Sequence, residues 1–218
     1  MVVISDEIKA RIPDFKLGVI QYNDIVIGDS PQMFKGRFQL FLESLKLESQ
    51  SVQDHDSVRE WRAIFKTLGI DPSRYRPSSE ALLRRAYGGK GIGFVNSAVD
   101  INNFFSLEYG IPLGIYNAGN IFGDIEIRLG KANDEYEGLN GRLMNMNGKL
   151  LSSDSCGAFG SPIVDSKRTM INDLTSSAVH LVYVRPSMNE DEAKKLVQAI
   201  EKMFIQIHGG HSESYIVK

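Results

Sequence analysis

The chain has 218 residues, enough for one large domain or two small ones with a substantial core. Its hydrophobic share of 42% is that of a folded protein and argues against disorder. A net charge of −2 supplies no general basic field, so DNA binding is not expected and any RNA contact needs a local patch.

Residues 1–4 are apolar, but Ser5, Asp6 and Glu7 end the run, too soon for a signal peptide. Residues 2–28 read as β-rich with one short helix. LGVIQY and DIVIG flank Asn23-Asp24, which predicts a hairpin. Phe34, Phe38, Phe41, Leu42 and Leu45 recur at helical spacing and predict a helix over 31–46. Residues 48–56 carry no apolar period and read as a loop. Val58, Trp61, Phe65 and Leu68 mark the next helix, stopped by Gly69. A short helix begins near Ser78. GGKGIG (88–93) matches neither a P-loop nor a dinucleotide fingerprint and reads as a loop. Another helix follows and ends near Gly110-Ile111-Pro112.

The pattern then changes. IEIRLG alternates from residue 125, and Asn140-Gly141 and Asn147-Gly148 are strong hairpin signals because both residue types tolerate positive φ. A β-meander over roughly 124–153 is expected. AVHLVYV (178–184) is apolar enough for a central strand. Asn189 caps the last helix, Glu192 completes a capping box, and Gly209-Gly210 ends it. Its buried stripe is Ala193, Leu196, Val197, Ile200, Met203, Phe204 and Ile207. Strands at both ends of a helical middle give the α/β class in its mixed, α+β-like form.

Three segments carry candidate chemistry. Asn96, Asp100 and Asn103 lie at i, i+4 and i+7 in an apolar tract, so on a helix they share one stripe. Either they line a pocket, or Asn96 caps the helix and the other two face solvent. Arg74, Arg76, Arg84, Arg85 and Lys90, interleaved with Tyr75 and Tyr87, suit phosphates and stacked bases. Composition favours a plainer reading of them, a solvated helix face with an ion pair or two. The segment SSDSCGAFGSPIVDS (152–166) is rich in small residues. Its backbone N–H groups would form an oxyanion site, or it simply connects two strands through glycine turns.

Other chemistries find little support. Pairing His180 with Cys156 or Ser161 would place a base in an apolar strand, and no G-x-S-x-G elbow is present. One cysteine excludes an internal disulfide and fits a reducing, cytoplasmic compartment. The four histidines are poorly spaced for zinc, and neither metal nor cofactor is expected. No apolar run reaches membrane-spanning length.

The tract VNSAVDINNFFSLEYGIPLGIYNAGNIFGDIEIRLGKANDEYEGLNG resembles the editing domain (B-three/B-four) of the bacterial phenylalanyl-tRNA synthetase beta subunit. That family carries V-N-x-x-V-D-x-x-N-Y, then L-x-x-G-x-P-L, a G-x-I-x-V-R strand and an L-D-G turn. The likeness runs over about 78–184. Upstream, VREWRAIFKTLGIDPSRYRPSSEALLRRA resembles free-standing relatives with W-R-x-x-F-x-x-x-G before S-S-E-A-L-x-R-R.

The resemblance implies one domain over 1–218, with residues 1–50 as an N-terminal extension packed on it. It implies a layered mixed β-sheet or sandwich core with flanking helices. The implied function is hydrolysis, in trans, of the ester of a mischarged tRNA or a related aminoacyl ester, with the tRNA 3′ end as partner. A non-catalytic binding module for tRNA or an amino acid-like small molecule is the alternative. No room is left for a catalytic core that charges tRNA. The family's pocket asparagine falls on Asn103, with Asp100 beside it, and its glycine-rich loop falls near Gly157, Ala158 and Gly160. Asn96, Tyr116 and Ser161 are expected around the same pocket. The family's pocket histidine and its tyrosine-reading glutamate fall on Gly114 and about Tyr183, two departures from the pattern.

Overall fold

Apolar character on both faces requires a strand flanked by partners and covered by packing on each side. The strand Ser177–Val184 (β9) meets that requirement. It pairs antiparallel with Lys16–Asn23 (β2) on one side and Leu113–Asn117 (β3) on the other. His211–Val217 (β10) completes this sheet, in the order β10-β2-β9-β3. The computed structural model that gives this arrangement describes residues 1–47, 51–88 and 91–218.

Alternation along the sheet feeds two cores. Leu17 and Val19 of β2 and Val179, Leu181 and Tyr183 of β9 pack toward a second sheet. That sheet has the order Val2–Ile4 (β1), Ile125–Leu129 (β4), Leu150–Asp154 (β7), Gly157–Gly160 (β8). Its Ile127, Leu150 and Phe159 share the first core. Ala178, Val182 and Val184 point the other way, into a core with the helices. The helical layer includes Gln32–Leu47 (α2), Ser78–Tyr87 (α4), Ser97–Tyr109 (α5) and Glu190–His208 (α6). Asp6–Arg11 (α1) and Asp56–Thr67 (α3) supply Ile8, Trp61, Ile64 and Phe65 to the inter-sheet core. The expected layered, mixed sheet core with flanking helices is the observed fold.

The final helix forms as its sequence dictates. Asn189 Oδ1 accepts the Glu192 N–H at 2.9 Å, and the Glu192 carboxylate accepts the Asn189 N–H at 2.8 Å. Met203 and Ile207 are only partly covered, so the buried stripe is narrower than the apolar one.

Two expectations are corrected. No hairpin forms at Asn23-Asp24, because β9 and β10 occupy both edges of β2. Asp24 instead takes φ 55°, and Ile25 and Ile27 enter the helical core. Residues 124–153 are not a simple meander. β4 pairs with β7, and the hairpin Glu135–Glu137 (β5) with Leu143–Asn145 (β6) is inserted between them. Asn140-Gly141 lies in the turn of that hairpin, with Gly141 at φ 76°. Strand β10 lay hidden because HSESY carries no apolar period, and it is half-exposed at a sheet edge. Residues 1–47 contribute to every layer: β1 pairs parallel with β4, β2 is interior to its sheet, and α2 packs in the helical layer. Among the described residues, no helix is long and apolar enough to cross a membrane.

Candidate functional site

Two helical stripes face each other across one cavity. Ser78, Ala81, Leu82 and Arg85 of α4 follow i, i+3, i+4, i+7, and so do Val99, Asn102, Asn103 and Ser106 of α5. Leu113, Ile115 and Tyr116 of β3, Leu139, and residues 163–166 and 169–171 close the space, about 320 Å³. That is the small end of the range for ligand pockets, about 300–1,000 Å³. The walls are apolar and the polar groups are few.

Asn103 is half-buried, and its carboxamide makes no hydrogen bond among the described residues. Its neighbour Asn102 is held from behind. Asn102 Oδ1 lies 3.1 Å from His180 Nε2, and Tyr22 Oη lies 3.4 Å from His180 Nδ1. Burial drives the His180 pKa down to about 3, so the ring is neutral. A neutral ring bonded to an oxygen at Nε2 carries its proton there, and the Tyr22 hydroxyl then donates to Nδ1. The Asn102 amide nitrogen makes no hydrogen bond among the described residues, and Asn102 lines the cavity.

The cavity also contains a carboxyl group. Tyr116 Oη donates to Asp165 Oδ1 at 2.6 Å, and the Ser161 N–H approaches the same oxygen at 3.3 Å. Burial pushes the Asp165 pKa up to about 7 against these two bonds, which lower it. A raised carboxyl favours folding below its unfolded pKa of about 3.9, and that contribution is lost as pH rises through the folded value. His180 acts oppositely, since its depressed pKa costs stability as pH falls below about 6.5. Asp165→Asn is therefore expected to melt higher than the parent at pH 8, with the gap closing toward pH 4. Thermal melts across that range check it; a gap that widens on acidification contradicts the assignment.

The structure disperses the remaining sequence candidates. Asn96 is the N-cap of α5 and accepts the Val99 N–H at 2.9 Å. Asp100 is buried, accepting from Ser30 Oγ at 2.6 Å and the Val95 N–H at 2.9 Å. Burial raises its pKa as well. Of that stripe only Asn103 borders the cavity. Gly114 and Gly160 pack against the Tyr116 phenol, whose hydroxyl a Cβ at either would meet at 2.0 and 2.4 Å. Gly157, Ala158 and Gly160 form strand β8, paired to β7, instead of an open loop. The loop that reaches the cavity comes just after them, at 163–166. Ser161 Oγ is buried and bonds Val164 O at 2.9 Å. Tyr183 is fully buried between the sheets, with its hydroxyl 2.9 Å from Ser152 Oγ. It neither fills nor lines the cavity.

The basic group divides. Buried Glu80 gathers Arg62 and Arg84, each at 2.9 Å, and Arg76 at 3.7 Å. Arg74 is exposed and stacks over Tyr75. Arg85 is exposed at the cavity and has no ion pair among the described residues. Lys90 lies outside the described residues. Among these residues no cluster of His, Cys, Asp and Glu suits a metal ion.

A model of the B3/4 domain matches residues 60–199, which hold both helical stripes and the loop. The chain belongs to the B3/4 domain family. The uncharacterized protein YhzB of Bacillus subtilis is 30% identical over 209 residues, 95% of this chain and 94% of that one. The phenylalanine–tRNA ligase beta subunit of Fusobacterium nucleatum is 29% identical over 150 residues, 66% of this chain. That of Bartonella quintana is 29% identical over 91 residues, 41% of this chain. The chain spans only 18% and 11% of those two subunits. An N-terminal fragment of the phenylalanyl-tRNA synthetase beta subunit from Pyrococcus horikoshii overlays with a TM-score of 0.48 at 12% identity, covering all of this chain and 50% of that one.

Sequence reasoning missed Asn102, Arg62 and Asp165. Asn102 sits off the 96-100-103 stripe, and only the true facing stripe, 99-102-103-106, includes it. Asp165 was in view inside SSDSCGAFGSPIVDS, but glycine drew attention there. Its distinction is a position beyond the strand, where a carboxyl reaches the cavity.

Proposed function

We propose that this B3/4 protein hydrolyses, in trans, the ester of a mischarged tRNA or a related aminoacyl ester. The observation that carries the reading is the Asn103 carboxamide, without a hydrogen-bond partner among the described residues, in an apolar cavity of amino-acid size within a domain shared with phenylalanine–tRNA ligase beta subunits. The apolar walls would seat the amino-acid side chain. Amide donors of Asn103 and Asn102 would face the ester carbonyl, where charge develops as water attacks. Arg85, exposed at the rim and unpaired among the described residues, would meet a phosphate of the tRNA 3′ end.

The site holds no histidine among its described lining residues. His180 stands behind Asn102 and is kept neutral by burial. Loss of a general base costs about 10²–10⁴-fold. Slow turnover is therefore expected. The same feature favours a second reading, a non-catalytic module that binds tRNA or an amino acid-like ligand. Incubating the protein with a panel of mischarged tRNAs separates the two. Deacylation of at least one tRNA above the buffer rate is expected. Salt-dependent binding without any deacylation would replace the hydrolase with the binding module.

A further inference from the structure

We propose that Asp165 anchors the ammonium group of an amphiphilic primary amine, the α-amino group of an aminoacyl moiety with an apolar side chain. This rests on the reading of the cavity as an aminoacyl site and names the group that fixes the ligand's orientation. Asp165 Oδ1 is taken by the Tyr116 hydroxyl and the Ser161 N–H. Oδ2 accepts no hydrogen bond among the described residues, and Asp165 is a half-buried residue of the cavity lining. The carboxyl forms no ion pair among them either. The surrounding walls are Val99, Leu113, Ile115, Ile163, Met170 and Ile171. A half-buried carboxylate among such side chains lacks a counter-charge, and a ligand cation supplies it. Burial among these side chains is also what raises its pKa.

The anchor is rigid. Tyr116 aims the carboxyl, and its phenol packs closely against the backbone at Gly114 and Gly160. One carboxylate suits an ammonium with three N–H donors better than a metal ion, which needs several ligands. The carboxamide oxygen of Asn103 has no partner among the described residues and would take a second N–H. The apolar walls select a ligand whose remainder is apolar, so a bare ammonium ion or a polyamine fits poorly.

Charged and titratable groups near Asp165 do not compete for the role. Tyr116, Tyr136 and Tyr183 have phenol pKa values raised by burial and stay neutral. Lys167 pairs with Glu137, and Arg168 with Asp154. Arg85 lines the same cavity but is exposed at its rim.

Calorimetric titration with amides of apolar L-amino acids, and with their N-acetyl amides, tests the anchor. At least one free-amine amide is expected to bind, and N-acetylation to weaken it about tenfold or more. Asp165→Asn should weaken the free amine by a similar factor and leave the N-acetyl form unchanged. Affinity of the parent should rise from pH 5.5 to 7.5 as the carboxyl ionises, and the variant should lack that rise. Failure of every amide to bind, equal binding of the acetylated form, or unaltered binding by Asp165→Asn would each overturn the proposal. The N-acetyl comparison is made on the parent protein and does not depend on the variant folding. Deacylation whose KM ignores Asp165→Asn would sink the anchor and spare the hydrolase. Amide binding through Asp165 without deacylation would do the reverse.

Discussion

Asn103→Ala is expected to slow deacylation by about 10²-fold or more while leaving the melting temperature almost unchanged. Removing one donor aimed at a developing oxyanion costs about 10²–10³-fold. Asn103 forms no internal hydrogen bond among the described residues, so its loss orphans nothing. Its neighbours on α5 behave differently. Asp100→Ala strips partners from Ser30 Oγ and the Val95 N–H. Orphaning the buried Ser30 hydroxyl costs about 1–3 kcal/mol, so Asp100→Ala shows mainly in the melt. Asn102→Ala shows in both, because it also leaves the His180 ring short of a partner. Single-turnover rates and melts on the three variants separate these outcomes. An Asn103→Ala protein with parental rate removes Asn103 from the chemistry.

Gly114→Ala is expected to destabilise the protein by about 1–3 kcal/mol, the usual cost of forcing an extra methyl into a packed site. At about 2–4 °C per kcal/mol for a chain of this size, the melting temperature falls by several degrees. The added Cβ would lie 2.0 Å from Tyr116 Oη and 2.5 Å from its Cζ. Gly160 also faces the ring, where an added Cβ would meet Tyr116 Oη at 2.4 Å. In a Tyr116→Ala background the same substitution should cost little, and a double-mutant cycle measures that coupling. Equal costs in both backgrounds would show that the ring does not hold this space. Tyr116 thus occupies the room that a side chain at position 114 would need, which is why a histidine there is not a simple addition to this protein.

Local signals made most elements legible. Phe34, Phe38 and Leu42 announced α2, Asn189 with Glu192 fixed the start of α6, and the apolar run at 178–184 marked the central strand. Long-range pairing was not legible. No local pattern says that β1 runs parallel to β4, more than a hundred residues away, or that β10 covers β2. The expected hairpin at Asn23-Asp24 failed for that reason, because both ladder edges of β2 had distant takers. At the site, Asn103 was legible through a resemblance, yet the stripe drawn through it was rotated. Asn96 lies before the first helical residue, where capping claims its side chain. Asp100 turns toward Ser30. The basic run at 74–85 looked uniform in sequence, but one buried glutamate takes three arginines, one of them from α3, and leaves Arg85 without an ion pair among the described residues.

Filling the cavity without touching a polar group tests the central claim most directly. Val99 lines it from α5, and Val99→Trp would occupy much of its volume. With a melting temperature that confirms folding, the variant is expected to lose the deacylation the parent performs on its best mischarged tRNA. A folded Val99→Trp protein that deacylates at the parental rate would place the reaction elsewhere on the molecule and contradict the account.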